Sequence, residues 1–583
     1  MSSARAARLG DLTGRFRLYF SGRRGREFKE YLTGYGLIAP AILLIFLFGI
    51  FPVAFALYVS LHKWLILRDE FIGLGNYVAA LDTLAYIGAF ALGLAALYGG
   101  YVLFRRVALR AQTEGQRPWL LAIPGALFAA SILAFIRWVF FQLPEFLDIA
   151  RKMRGLERTR DLFTRLLSEA FFAETVYPAF LVFVVVLAAA ILASLLSRAY
   201  LKVANGNQYQ QTFTLAWLST VIGLGLLYFT FQSVNAAYTT AMETGADPGF
   251  WPQFIMITSG VILLYFGWRL WKTADREDRT RYFFLRLLGA SALMMAAVLL
   301  IVEIPSIVAA GDKDMWNGLQ VTIFFAVGTV PVQLTVALFL SVLLFQKMRG
   351  SEFFRIIFFL PYVTPAIASA TVFRLMFSER TVAPANIFLN IFGLDAQAWL
   401  REPKGVFTLL AQGLGVSNFP QLIIPGWLPD DLEVLLAGWL TGPSLALVVI
   451  ILLSIWTFVG YNTVIYLAGL ASIDGELTEA ASIDGANRWQ VFRHITFPLL
   501  SPTTYFLSLI AIMGTFKAFN TIWVMRLGQS LGTVDTFSIV IFDEFFTKGR
   551  YGYASALAFI LFAIILGLTF VNNRVQGRKV FYG

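Results

Sequence analysis

Residues 479–500 read EAASIDGANRWQVFRHITFPLL and gather two acids, two arginines, a histidine and a Gly-Ala pair between long apolar runs. These residue types at this spacing predict a helix, a sharp Gly-Ala turn and a second helix. ASIDGEL at 471–477 is echoed ten residues later by ASIDGAN at 481–487, so a helix-sized segment is bracketed by two Asp-Gly pairs. Asp474 is placed to cap a short helix, and Gly485 to end it in the left-handed conformation glycine accepts. Asn487, three residues before Gln490, predicts a capping box at the start of a second helix. That helix presents Val491 and Ile495, with Trp489 near Phe492, until Pro498 stops it. The alternative is an amphipathic loop without a fixed turn. A second chemical signal is Lys517, inside the apolar stretch LIAIMGTFKAFNTIW. An ionisable side chain in a membrane span marks a functional candidate, because lipid penalises an unpaired charge; the alternatives are a carboxylate partner on another chain or snorkelling.

The elements that must position these residues are membrane helices. Of 583 residues, 58% are hydrophobic and only 14% charged, well above the roughly 45–50% apolar usage of soluble domains. Runs of about 20 apolar residues cross a bilayer as helices, whereas barrel strands are short and alternating. The fold class is therefore all-α and polytopic. With no cysteine and only His62 and His494, thiolate and all-histidine zinc sites are excluded. The formal charge of +11 belongs to cytoplasmic loops by the positive-inside rule rather than to nucleic-acid binding.

Residues 1–33 are polar and carry Arg5, Arg8, Arg15, Arg17, Arg23, Arg24, Arg26 and Lys29, so the following span starts inside. Its apolar run is too long for a signal peptide. Further spans are expected near 84–104, 118–141, 177–197, 212–232, 253–271, 283–304, 319–345, 353–378, 440–468, 503–525 and 552–572, making about twelve. Alternation puts Arg105, Arg106, Arg110 and Arg117 on the cytoplasmic side, with Arg198, Lys202, Lys272, Arg276, Arg279 and Arg281. Lys347, Arg349, Arg355, Arg574, Arg578 and Lys579 follow the same rule. Segment 142–176, which alternation places outside, disagrees with six basic residues. Ile149, Met153, Leu156, Phe163 and Leu167 at helical spacing suggest an interfacial amphipathic helix; otherwise one neighbouring span is not a span. Segment 379–439, with APANIFLNIFGLD and PDDLE, reads as an ordered external loop.

The order Glu479-Ala480-Ala481, Asp484-Gly485-Ala486, Phe492, Ile495, Pro498 and Pro502 resembles the EAA motif of ABC-importer permeases, with Phe497 where leucine is usual. Residues 317–377 resemble the second and third helices of maltose-transporter MalF-type sugar permeases. FIGLGNYVAAL at 71–81 and NTVIYLAGLASIDGELTEAASIDGA at 462–486 are similar to further phrases of that subfamily. The resemblance covers 34–81 and about 315–583.

It implies an ABC type I importer permease core, from which this chain departs by about six inserted helices read from the apolar spans of 82–314. The parts are a basic cytoplasmic segment (1–33), the first core helix with its external link (34–81), the insertion (82–314) and core helices 2–3 (315–378). The external loop (379–439) and core helices 4–6 (440–583) follow, the last enclosing the coupling loop 469–502. Implied partners are a second, MalG-like permease, two copies of a MalK-like ATPase and an extracytoplasmic sugar-binding protein, in a bacterial or archaeal cytoplasmic membrane with both termini cytoplasmic. ATP and Mg are used by the partner; this chain has no G-x-x-x-x-G-K-[ST] loop and binds no cofactor. Glu479, Ala480, Ala481, Asp484, Gly485 and Ala486 would meet the ATPase. Carbohydrate would meet Tyr461, Asn462, Thr515, Lys517 and Asn520, with Trp456 and Phe516 stacking on a sugar face.

The insertion carries no such pattern. It reads as a helical collar, an interaction surface for a regulator or binding protein, or the seat of an appended enzyme. Glu303 beside Pro305 lies near a span end, where it can face water. The competing functions are a secondary transporter, which should show inverted repeats, and a membrane enzyme built on the inserted helices, which should show intramembrane acids or histidines.

Overall fold

The computed structural model describes residues 23–577, apart from 66–67, 158, 201–205, 244, 246–249, 275–278, 347–348 and 576. Arg5, Arg8, Arg15, Arg17, Lys202, Arg276, Lys347, Arg578 and Lys579 lie outside the described residues. Among those described, ten helices are long and apolar enough to cross a membrane, or up to twelve if two bent pairs each count as one. The expected polytopic all-α fold and its count of about twelve hold.

The chain opens with α1 (Thr33–Ser60) and an antiparallel hairpin of β1 (His62–Trp64) and β2 (Arg68–Phe71). The insertion supplies α2 (Thr83–Thr113), α3 (Pro118–Lys152), the short α4 (Arg160–Phe171), α5 (Val176–Ser197), α6 (Gly206–Glu243), α7 (Trp251–Thr273) and α8 (Arg281–Ala310). α2 lies along α6, α3 against α5 and α6, and α7 pairs with α8. Small residues make these approaches close: a Cβ on Gly223 would stand 2.9 Å from the Gly93 carbonyl, and one on Gly267 3.0 Å from that of Gly289. In lipid such contacts carry association, because burial from water no longer distinguishes helix from solvent. Thr83 Oγ1 donates to Gln253 Oε1 at 3.2 Å and links α2 to α7. The insertion leaves and rejoins the core at one place, where the Asp312 amide donates to the Ala80 carbonyl at 3.2 Å.

The core continues with α9 (Lys313–Phe345), α10 (Ser351–Val363) and α11 (Ala366–Met376). Three short helices follow: α12 (Pro384–Ile391), α13 (Val406–Gly413) and α14 (Asp430–Leu440). Then come α15 (Leu445–Ala471), α16 (Gly475–Ile483), α17 (Arg488–Leu499), α18 (Ser501–Phe516), α19 (Asn520–Met525), α20 (Phe537–Phe542) and α21 (Tyr551–Val575). α15 is the centre: 56% of its most apolar stretch is buried, against 11% for α1, which fits a helix hydrophobic on all sides. α9, α10 and α18 pack on it. Val321, Phe325, Leu447, Ile450, Ile522 and Ile539 join in one apolar cluster.

Several expected boundaries change. The span placed at 353–378 is bent by 93° between Val363 and Ala366, because Pro365 disfavours helical backbone at the residue before it. The span at 503–525 ends at Phe516 and resumes at Asn520. Its freed carbonyls are satisfied from outside the helix: Ser538 Oγ donates to Phe516 at 3.0 Å and Thr536 Oγ1 to Ala518 at 3.4 Å, the condition for broken helices at membrane depth. Segment 142–176 is not one amphipathic helix. α3 runs on to Lys152 with Ile149 buried, Gly155 turns at φ +84°, and α4 begins after the Thr159 cap. Glu303 is buried within α8 rather than facing water. Arg158 lies outside the described residues.

The loop between α11 and α15 is tied together by Asn386. Its Nδ2 donates to the carbonyls of Arg380 (3.0 Å), Gln397 (3.2 Å) and Ser378 (3.3 Å), and its Oδ1 accepts from Trp399 Nε1 (2.7 Å) and the Gln397 amide (3.0 Å). Asn76, in the GNY phrase, does the same after α1, donating to the carbonyls of Ser60 (2.8 Å) and His62 (2.9 Å).

Candidate functional site

Two features gather the candidate residues: a cavity beside α15 and the polar loop that follows it. The cavity, about 420 Å³, is walled by α9, α10, α11, α15, α18 and α19. α15 contributes Ser454, Thr457, Phe458, Tyr461 and Asn462, α9 contributes Phe325 and Gln333, and the α18–α19 break contributes Thr515, Lys517, Phe519, Asn520 and Thr521. The Tyr461 ring stacks on Tyr362 with centroids 4.6 Å apart.

Of the residues predicted to meet cargo, Tyr461, Asn462, Thr515, Lys517 and Asn520 come together here. Trp456 and Phe516 do not line the cavity. Trp456 turns to Phe373 of α11, centroids 5.4 Å apart, and Phe516 is buried among Met315, Phe537 and Leu557. Lys517 is the C-cap of α18, so it sits at a helix break rather than inside a continuous span. Among the described residues no other charged side chain lines the cavity. Gln333, Ser454, Thr457 and Thr521 were missed. Gln333 was signalled by its polarity within the apolar VPVQL; the hydroxyls carried no signal, because serine and threonine in membrane helices commonly bond their own backbone.

The polar lining is only partly satisfied. Gln333 and Asn462 are 3% and 4% exposed, and Gln333 Oε1 and Asn462 Nδ2 have no hydrogen-bond partner among the described residues. A buried unsatisfied polar atom is rare and calls for a ligand or water. The wall therefore offers an acceptor, a donor, hydroxyls and stacking rings, the equipment for binding a polyhydroxylated or otherwise hydrogen-bonding solute.

At the far end of α15 stands the polar loop. The Asp474 side chain accepts from the Glu476 amide at 3.0 Å and caps α16. The helix closes with the Ala486 amide donating to Ala481 at 3.0 Å, and Gly485 sits at φ +81°. Asn487 and Gln490 form the capping box in both directions, at 2.8 and 2.9 Å. Glu479, Ala480, Asp484 and Gly485 are exposed, with Ala481 and Ala486 half-buried. Ile483 is 87% exposed beside them. Pro498 does not stop the second helix. A π-turn over Phe492–Thr496 carries the chain through it to Leu499, and the bend of 61° falls before Ser501. The wider turn accommodates the missing amide of Pro498, while Pro502 occupies the first turn of α18, where a proline amide is not needed.

Residues 333–580 match the family described as binding-protein-dependent transport system inner membrane component. A probable ABC transporter permease, PH1215 of Pyrococcus horikoshii, is 31% identical over 46% of this chain and 79% of its own. The chain belongs to this family of membrane permeases. The probable ABC transporter permease YesP of Bacillus subtilis is 31% identical over 47% of the permease and 75% of its own length. The lactose transport system permease LacF of Rhizobium radiobacter is 30% identical over 45% and 76%. The family match takes in the cavity lining from Gln333 onward and the whole polar loop; the insertion at 82–314 lies outside it. The permease is a multi-pass membrane protein. Among the described residues no group of three or more His, Cys, Asp or Glu side chains is arranged to hold a metal ion.

Proposed function

We propose that the chain is one half of the transmembrane channel of an ATP-driven carbohydrate importer, moving its cargo by alternating access and performing no covalent chemistry. The observation that carries this reading is the pairing of a hydrogen-bonding cavity along the middle of the central helix α15 with an exposed, rigidly capped loop at the C-terminal end of the same helix. The lactose permease among the relatives supports the substrate class.

In this reading α16 enters a groove on a separate ATPase subunit. Glu479 makes polar contact there, Ala480 and Ala481 allow close approach, Asp484 and Gly485 set the turn, and Ala486 leads into the second helix. Two MalK-like ATPases hydrolyse Mg-ATP, a MalG-like permease forms the other half of the channel, and an extracytoplasmic binding protein delivers the sugar. Both termini and 469–502 are cytoplasmic, and 379–439 is external. Tyr461, Asn462, Gln333 and Asn520 bind sugar hydroxyls, and the Tyr362–Tyr461 pair and Phe519 serve for stacking in place of Trp456 and Phe516. The insertion is a peripheral helical collar.

Expression with the genomic neighbours tests the reading. The chain is expected to bring down a soluble ATPase and a second, shorter permease, and saccharide with its binding protein is expected to stimulate ATP hydrolysis. Purification without an ATPase, or uptake driven by an ion gradient alone, refutes it.

A further inference from the structure

We infer that the cargo is an anionic saccharide, its acidic groups received at the mouth of the route by Arg374, Arg380 and Arg401. The inference rests on the carbohydrate reading above and adds a charge to it. A second cavity, about 360 Å³, lies at the end of α11 and is lined by these three arginines with Glu379 and Ser378. It stands at the opposite end of α15 from the coupling loop, because the Leu445 amide, at the start of α15, donates to Lys404 a few residues after Arg401. At 1.5 Å per residue α15 separates the two ends by about 40 Å. Both cavities border α11, Ala366 lining the inner one and Arg374 the outer one, and Asn520 at the start of α19 and Leu527 just beyond it line the inner and the outer one in turn.

The charge along this route is net positive. Arg401 pairs with Glu379, the only acid on the outer cavity among the described residues. Arg374 uses one donor, on the Val524 carbonyl at 3.4 Å. Arg380 has no side-chain hydrogen-bond or ion-pair partner among the described residues. Inward, Lys517 is the one charged group on the cavity wall among the described residues, and none of the described wall residues is a carboxylate. A neutral sugar leaves Arg374, Arg380 and Lys517 without a counter-charge, whereas a carboxylate or sulfate takes the guanidinium fork two bonds at a time. A cleft lined by one sign of charge also concentrates the opposite ion. Gln333 Oε1 and Asn462 Nδ2, both without partners, remain for the uncharged hydroxyls.

Because the chain has no cysteine, Ser378→Cys and Thr521→Cys in the assembled complex are clean reporters, with Ser417→Cys as an exposed control. The first measurement is the ratio of labelling rates with anionic and cationic methanethiosulfonates. Two net positive charges nearby raise that ratio on the order of tenfold over the control at low salt, and Arg380→Gln and added salt lower it. The second uses a trigalacturonate, a sulfated neutral trisaccharide and the carboxyl-reduced trimer, read as protection of Ser378→Cys and as uptake into proteoliposomes. Either acidic trimer is expected to protect at least tenfold better than the reduced one, and the stronger of the two identifies the acid. A rate ratio equal to the control, or equal protection and uptake of the reduced trimer, overturns the anionic inference and leaves carbohydrate import standing. Stimulation of ATP hydrolysis by a non-saccharide cargo, with no saccharide taken up, overturns the carbohydrate reading itself.

Discussion

Gly485 is the position where the coupling assignment meets a number. Its φ of +81° ends α16 through the Ala486 to Ala481 hydrogen bond, and the Gly485 amide itself donates to Ser482 at 3.2 Å. No heavy atom lies within 4 Å of a Cβ built there, so alanine meets no clash and the cost is purely conformational, roughly 1–2 kcal/mol for an L residue in the left-handed region. Proline is worse, because its ring fixes φ near −65°, removes the amide and disfavours the helical backbone of Asp484, at ψ 3°. The turn is surface-exposed, so the permease itself is expected to keep its thermal stability in detergent while the angle between α16 and α17 is lost. Docking of α16 then pays the strain, and 1–2 kcal/mol corresponds to roughly five- to thirtyfold weaker association with the ATPase. Asn, which tolerates this conformation, should recover most of the loss. The assay is ATPase retention on the immobilised permease pair, followed by saccharide-stimulated hydrolysis. Retention and stimulation by Gly485→Pro equal to the parent would refute the reasoning, since a turn that can be abolished without effect couples nothing.

Other outcomes follow from the same geometry. Asn462→Leu and Gln333→Leu remove polar atoms that the fold leaves unpaired, so thermal stability should hold or rise while saccharide affinity falls by about 1–3 kcal/mol, measured by melting and by uptake on one preparation. Asn386→Ala removes five hydrogen bonds that close the loop after α11 and should cost a few kcal/mol, read as faster proteolysis between α11 and α15 with the helices intact. Joining residue 80 to residue 312 through a short Gly-Ser link should give a permease that still binds the ATPase and its partner. Loss of assembly would make the insertion part of the channel.

The apolar runs were legible because membrane length and hydropathy demand them, and the polar loop because capping residues act over three or four positions: Asp474, Gly485, Asn487 and Gln490 each find the partner that local spacing assigns. What local spacing cannot show is help from afar. The break at Lys517 exists because Thr536 and Ser538 accept the role of missing amides, from a segment the sequence separates by some twenty positions. Phe516 and Trp456 looked like cargo-facing rings for the same reason; which side of a helix faces a cavity is decided by neighbours such as Phe537 and Phe373. Pro498 illustrates a subtler limit, since a π-turn lets the chain carry a proline that a regular helix rejects.

The hydrogen bond between Asp312 and Ala80 bears on how such a chain folds. Loop-closure entropy grows with the length of chain between two contacts, and residues 81–311 would make the meeting of α1 with the rest of the core a slow, distant event. Once the inserted helices have paired from α2 round to α8, however, their two ends are already side by side. To the core the whole insertion then counts as a tight turn, and its contact order is that of a chain less than two-thirds as long.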